Sequence, residues 1–292
     1  MFFVNPPFGN YINLNGLIQI KGSYTLEPRD GLLLQIIKTL RYNFKYMDWT
    51  NKIGLRNPGI DYAISNYKKG NIISIAILKE SDIPKLLEKI PNDIDIEINV
   101  SCPNVNDEKK KFDYNLLKSF INNKRRWCII KLSPTIDNQL IDKYYNIGFR
   151  QFHCSNTVPV TEGGLSGKAI IPYNNKIIPY IKNKYNDTTV IAGGGIKKYT
   201  DVINYKKIGA DHFSFSTVIF CPYLFFNLYR NIWFIHQTLL YKFLYMKISK
   251  ILLVLIVCYY YCYHDKIGHI NSLLTVLLVS KMLKIFNNDC ID

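Results

Sequence analysis

Asn99, Cys102 and Asn104 set one thiol between two carboxamides, next to Pro103. Neutral amides each offer a donor and an acceptor, and a thiol can give or take a proton. Taken alone, this stretch also reads as a buried cysteine beside a loop proline. What distinguishes it is company further along the chain. Lys131, Asn156 and Thr157, the run Gly193-Gly194-Gly195, and the pair Ser216-Thr217 each follow a short apolar stretch. Triple glycine lets a backbone approach closely and points N–H groups at an anion, and two hydroxyls can bond the same phosphate.

The elements that must carry these residues follow from periodicity. Ile94, Ile96, Ile98 and Val100 alternate with Asp95, Glu97 and Asn99, the pattern of a strand. Ile72 to Ile77 is continuously apolar, as in a strand buried on both faces. Further strands are expected near residues 18, 128, 151, 190 and 213. Between them lie expected helices over 81–90 (Ser81 as N-cap), 114–122, 137–147 (closed by Gly148), 170–185 and 200–208 (closed by Gly209), with a last helix beginning at Pro222. Residues 29–43 read as a helical crossover, 51–59 as a loop, and Gly163-Gly164-Leu165-Ser166-Gly167 as a glycine loop.

Strand and helix thus alternate from residue 17 to about 230, which demands parallel crossovers. The seven strands become eight with a rudimentary one in residues 1–6. A (β/α)8 TIM barrel with a shortened first βα unit is the best fit, and a doubly wound open sheet is the alternative. In such a barrel the chemistry gathers at the C-terminal ends of the strands, with phosphate held after strands seven and eight. The residues named above occupy those positions.

Composition sets bounds on this reading. The chain has 292 residues, 48% of them hydrophobic, and 37 Lys+Arg against 22 Asp+Glu for a net charge of +15. Its lysines are scattered rather than massed on one face, so the charge reads as overall composition and not as a nucleic-acid footprint. The seven cysteines form no CxxC pair and no zinc spacing, and no secretory signal opens the chain, so free thiols, no metal and a cytoplasmic setting are expected. Residues 251–264 and 267–280 form two uncharged runs of 14 residues, each short of the ~20 needed to span a bilayer. They read as a membrane-associated extension over 233–292 or as packing against a barrel over 1–232.

Asn99-Val100-Ser101-Cys102-Pro103-Asn104 resembles the active-site segment of the dihydroorotate dehydrogenases. Thr25 to Gly31, Asn51-Lys52-Ile53-Gly54-Leu55, Lys131-Leu132-Ser133-Pro134, Ser155-Asn156-Thr157 and Gly163 to Gly167 are similar to further segments of that family. The resemblance implies FMN as cofactor and oxidation of dihydroorotate to orotate in pyrimidine biosynthesis. It implies Cys102 as the base at C5 while hydride passes from C6 to flavin N5. It places Asn51, Asn99, Asn104, Asn156 and Thr157 around the pyrimidine. Ser23, Lys131, Gly167, Gly194, Gly195, Ser216 and Thr217 would contact FMN, with Lys131 near its N1/O2 edge. A cysteine base is similar to the class 1 enzymes, which implies a homodimer and fumarate, NAD or an analogous acceptor. The loop after the first strand, reduced here to Pro7-Phe8-Gly9-Asn10, departs from the family. That departure leaves a flavin- or pyrimidine-binding barrel without turnover as the alternative.

Overall fold

The computed structural model describes residues 1–100 and 113–233. The chain divides into two units, Met1–Trp233 and Phe234–Asp292, the second lying outside the described residues. Eight parallel strands close the barrel: Phe2–Val4 (β1), Leu17–Tyr24 (β2), Ile72–Ala76 (β3), Ile96–Asn99 (β4), Cys128–Lys131 (β5), Gln151–Cys154 (β6), Thr189–Gly193 (β7) and His212–Phe215 (β8). β1 has only three residues, yet it pairs with β2 on one side (Phe3 opposite Ile18) and with β8 on the other (Phe3 opposite Ser214). It is the rudimentary first strand expected from the sequence. A 3-10 turn at Phe8–Asn10 stands where a crossover helix would follow it.

Two packed layers separate inside from outside. Phe3, Ile20, Ile72, Trp127, Ile129 and Ile191 fill the barrel interior, with Phe3 edge-on to Trp127 at 5.4 Å. A larger cluster, including Ile98, Ile130, Phe152 and Val190, packs the strands against the helices. Asp137 caps the helix Asn138–Ile147 by accepting from the backbone N–H of Gln139 at 3.0 Å, and Gly148 (φ +124°) ends it.

Several expectations need correction. Ser81 sits at the N-cap of Asp82–Lys89 but makes no capping bond; the Asp82 carboxylate instead accepts from Lys79 N–H. Tyr114–Phe120 is 3-10 rather than α-helical. The crossover after β2 holds one helix at Leu32–Thr39 and a second at Ile60–Ser65. Gly163–Leu165 is a strand and not a loop. It joins a four-stranded antiparallel sheet with Arg41–Asn43, Asp48–Asn51 and Val158–Val160. Those strands come from the excursions after β2 and β6, so the sheet stands at the C-terminal mouth of the barrel. The apolar runs at 251–280 lie outside the described residues, and among the described residues no helix is long and apolar enough to cross a membrane.

Asn57 anchors the longer excursion. Its buried carboxamide accepts from Thr25 N–H (3.1 Å) and Gly59 N–H (2.8 Å) and donates to Thr25 Oγ1 (2.9 Å) and Leu55 O (2.6 Å). Asn57→Ala leaves buried partners unsatisfied and should destabilise the barrel by about 2–4 kcal/mol. Urea denaturation measures this, and a loss under about 0.5 kcal/mol, the scale of an ordinary surface substitution, would contradict the anchoring role.

Candidate active site

Strand β4 carries the residue on which the mouth turns. Its alternation places Glu97 and Asn99 in the barrel interior rather than toward solvent, and all four of its residues are buried. Glu97, fully buried, accepts from Ser74 Oγ (2.7 Å, β3), from Lys131 Nζ (3.4 Å, β5) and from His153 Nδ1 (2.5 Å, β6). On its other edge His153 Nε2 meets Ser214 Oγ at 2.6 Å on β8, and Asn5 Nδ2 donates to that hydroxyl at 3.0 Å just past β1. Burial would push the Glu97 carboxyl up, but Lys131, His153 and the bonds from His153 and Ser74 together hold it down to about 2. Burial also lowers His153, against the pull of Glu97, so the ring is neutral at pH 7. A neutral ring donates from Nδ1 to Glu97 and accepts at Nε2 from Ser214.

A second chain of bonds runs from Glu97's partner Ser74 toward the mouth. Ser74 Oγ and Ser23 Oγ lie 2.9 Å apart, Asn99 Nδ2 donates to Ser23 Oγ at 3.0 Å, and Asn156 Nδ2 donates to Asn99 Oδ1 at 3.2 Å. The Thr157 N–H closes on Asn156 Oδ1 at 2.9 Å. Asn51 ends its strand opposite Gly164, which ties it to the glycine segment. Behind the triple-glycine loop, the fully buried Asn174 donates to Cys154 O (3.2 Å) and Gly193 O (2.6 Å), while Tyr205 OH donates to Gly194 O (2.8 Å).

These groups share one cavity of about 810 Å³. Ser23, Asn51, Asn99, Lys131, Asn156, Thr157, Gly167, Gly194, Gly195, Ser216 and Thr217 all line it. Cys102 and Asn104 lie outside the described residues. Gly194 and Gly195 have φ of +93° and +73°, a conformation that suits glycine and turns backbone N–H groups toward a neighbouring anion. Gly193 is glycine for a different reason: a Cβ there would stand 2.3 Å from Ser214 Oγ and 3.0 Å from His153 Nε2. Sequence reasoning missed Asn5, Ser74, Glu97, His153 and Ser214. Their signal was a polar residue at alternate positions of strands whose two faces are both covered.

A family model for dihydroorotate dehydrogenase matches residues 8–227. The chain belongs to the dihydroorotate dehydrogenase family. Three curated relatives are named dihydroorotate dehydrogenase B (NAD(+)), catalytic subunit. The one from Staphylococcus carnosus is 29% identical over 75% of this chain and 80% of the relative. That from Petrotoga mobilis is 30% identical over 64% and 70%, and that from Malacoplasma penetrans 28% identical over 60% and 67%. The fold is similar to crystal structures of DHODH from Eimeria tenella. The ligand-free one gives a TM-score of 0.56 at 17% identity over 73% of this chain and 72% of that one; the ferulenol complex gives 0.52 at 16%, over 69% and 70%. Within the dihydroorotate dehydrogenase family match fall all the cavity residues predicted from sequence.

The buried histidine makes the barrel acid-sensitive in a defined window. His153 has a folded pKa below 6.5, so below pH 6.5 the unfolded chain takes up a proton that the native state refuses, and stability falls. Glu97, held near 2 from 4.5, adds a loss only below about pH 4.5, continuing to about pH 2. His212 is also lowered, chiefly by burial, and acts in the same direction. The slope of stability against pH between 6.5 and 5 should therefore diminish, without vanishing, in His153→Gln. Denaturation midpoints across that range test it, and an unchanged slope would refute a neutral His153.

Proposed function

We propose that this chain oxidises dihydroorotate to orotate, and the observation that carries the reading is the single cavity joining Lys131 to the amide and glycine-rich strand mouths. The donor set fits FMN, the cofactor of the family. Gly167, Gly194, Gly195, Ser216 and Thr217 would take its phosphate, Ser23 would contact it, and Lys131 would face its pyrimidine edge. When bound, FMN supplies the hydride acceptor.

The chain's own residues do the rest. Asn51, Asn99, Asn104 and Asn156, with Thr157, hold the substrate ring, each amide matching donors and acceptors of an imide edge. The Asn99–Asn156 hydrogen bond fixes both side chains before substrate arrives, which spares ordering cost on binding. Cys102, as thiolate, takes the C5 proton, and the C5–C6 double bond forms as hydride leaves C6. Lys131, paired with the buried Glu97, presents its positive charge where negative charge grows on reduction, a placement that counts for most in a water-poor site. The relatives' names carry NAD(+), and NAD+ is the acceptor we propose for this chain.

Anaerobic addition of dihydroorotate to the FMN-loaded protein should bleach the flavin and form orotate. Flavin that binds but never bleaches would overturn the proposal and support a barrel without turnover. Cys102→Ala should retain flavin and slow bleaching by ~10²–10⁴-fold, with wild-type rates rising toward the ordinary thiol pKa of ~8.5. Undiminished bleaching in that variant would remove Cys102 from the role of base. Lys131→Ala should weaken FMN binding and shift its reduction potential, and normal values of both would reduce Lys131 to a partner of Glu97.

A further inference from the structure

The excursion after β2 opens on a helix, Leu32–Thr39, that buries none of its residues. Leu32 and Ile36, with Leu40 just past its end, follow at intervals of four and line the cavity at the mouth. Leu33, Leu34 and Ile37 stand three and four apart on a separate face, which is open to solvent. The chain then enters the hairpin of Arg41–Asn43 and Asp48–Asn51, whose tip carries Phe44 and Met47. Gln35 Nε2 donates to Lys52 O at 2.9 Å and Arg41 Nη1 to Ile37 O at 2.8 Å, so the helix is tied to both ends of the hairpin.

Leu33, Leu34, Ile37, Phe44 and Met47 are each at least 60% exposed. Among the described residues, the only other large hydrophobic side chains so exposed are Tyr11, Tyr223 and Phe226. Such a concentration of exposed apolar side chains marks an interaction surface. Its charge decides the partner. Lys38, Arg41 and Lys45 are exposed among these side chains, and residues 31–47 contain no Asp or Glu. Asp30 lies just outside the stretch, and Asp48 is buried with Lys197. A second copy docked about a two-fold axis would lay this surface on itself and set its cations against the same cations, which opposes association. An anionic lipid surface matches both features, with headgroup phosphates for the cations and acyl chains for the apolar groups. A helix this short cannot cross a bilayer. It can lie in the interface, at the level where Tyr42 and Tyr46 are also at home. We propose that the outer face of Leu32–Thr39 and the hairpin tip dock on an anionic membrane surface, Leu33, Leu34, Ile37, Phe44 and Met47 entering the headgroup boundary. The docking rests on this surface alone, neither on the proposed reaction nor on residues 251–280.

The test sediments full-length protein with vesicles of phosphatidylcholine, alone or mixed with phosphatidylglycerol, and follows amide hydrogen exchange in parallel. Binding to the anionic vesicles is expected, with weaker binding to the neutral ones and a loss of affinity as salt rises. Backbone exchange over residues 32–47 should slow only when anionic vesicles are present. This readout needs no variant and separates the surface from residues 251–280. Ile37→Ser with Phe44→Ser, and Lys38→Glu with Lys45→Glu, should each weaken anionic-vesicle binding by on the order of tenfold or more. All four side chains are exposed, so the fold should survive both double variants. No binding to anionic vesicles, binding without slower exchange over 32–47, or an affinity unchanged in both double variants would overturn the proposal. Exchange over 32–47 that slows with protein concentration rather than with lipid would also overturn it, in favour of a second copy.

Discussion

Everything at the mouth of this barrel hangs on the ionised carboxylate of Glu97, which has no access to water. Taking a carboxylate out of water costs several kcal/mol even after relaxation. Here Lys131, His153 and Ser74 offset the loss, one contributor from each of β5, β6 and β3. Because the partners come from different strands, the charge can be satisfied only when those strands are in register. The same bonds aim Lys131 and, through Ser74, Ser23 and Asn99, orient the amides above it. One electrostatic requirement thereby ties the register of β3 through β6 to the geometry of the site. Replacing the carboxylate by an apolar group would strand a lysine ammonium in the interior, the costly way to break such a cluster.

A second buried carboxylate does for the small sheet what Glu97 does for the barrel. Asp48, 1% exposed, accepts from Lys168 N–H at 3.0 Å and from Lys197 Nζ at 3.1 Å. It thus links a strand after β2 to the segment before the helix Ile171–Lys184 and to the turn after β7. Gly167 is required at this joint, since a Cβ would fall 1.9 Å from the Asp48 carboxylate. The sheet and the glycine-rich mouth of β7 are therefore built as one unit, with Asn51 on the sheet and Gly194 and Gly195 on the loop.

How much of this could be read from sequence depended on whether a residue's partner is local. Strand runs such as Ile72–Ala76 and helix ends such as Asp137 and Gly148 carry their own signals, and so did the polar residue types at each strand mouth. Glu97 was visible only as a polar member of an alternating strand, and alternation says that two faces differ without saying that one of them lines a closed lumen. His153 and Ser214 had the same ambiguity. The Gly163–Leu165 strand read as a loop because Gly163 is demanded by Asn51 and Lys52 of the β2 excursion, more than a hundred residues away. Ser81 had the right type for a cap, but the Ile83 N–H bonds Glu80 O instead and Pro84, two residues into the helix, has no N–H to offer.

The shortened first unit shows which parts of a barrel the mouth can do without. β1 needs only Phe2–Val4 to form ladders with both β2 and β8, because the barrel is closed by backbone pairing and not by the helix outside it. The helix's second task, covering the outer face of β2, falls to the turn at Phe8–Asn10. Asn10 Oδ1 accepts from Gly22 N–H at 2.9 Å, and Phe8 packs edge-on against Phe220 at 5.0 Å. That cover is thinner than a helix, so side chains on the outer face of β2 reach the cavity. Asn5, which follows β1 directly, still reaches Ser214 and His153. The site draws its groups from strand ends, so a missing crossover helix changes what surrounds β2 while leaving the Glu97 network whole.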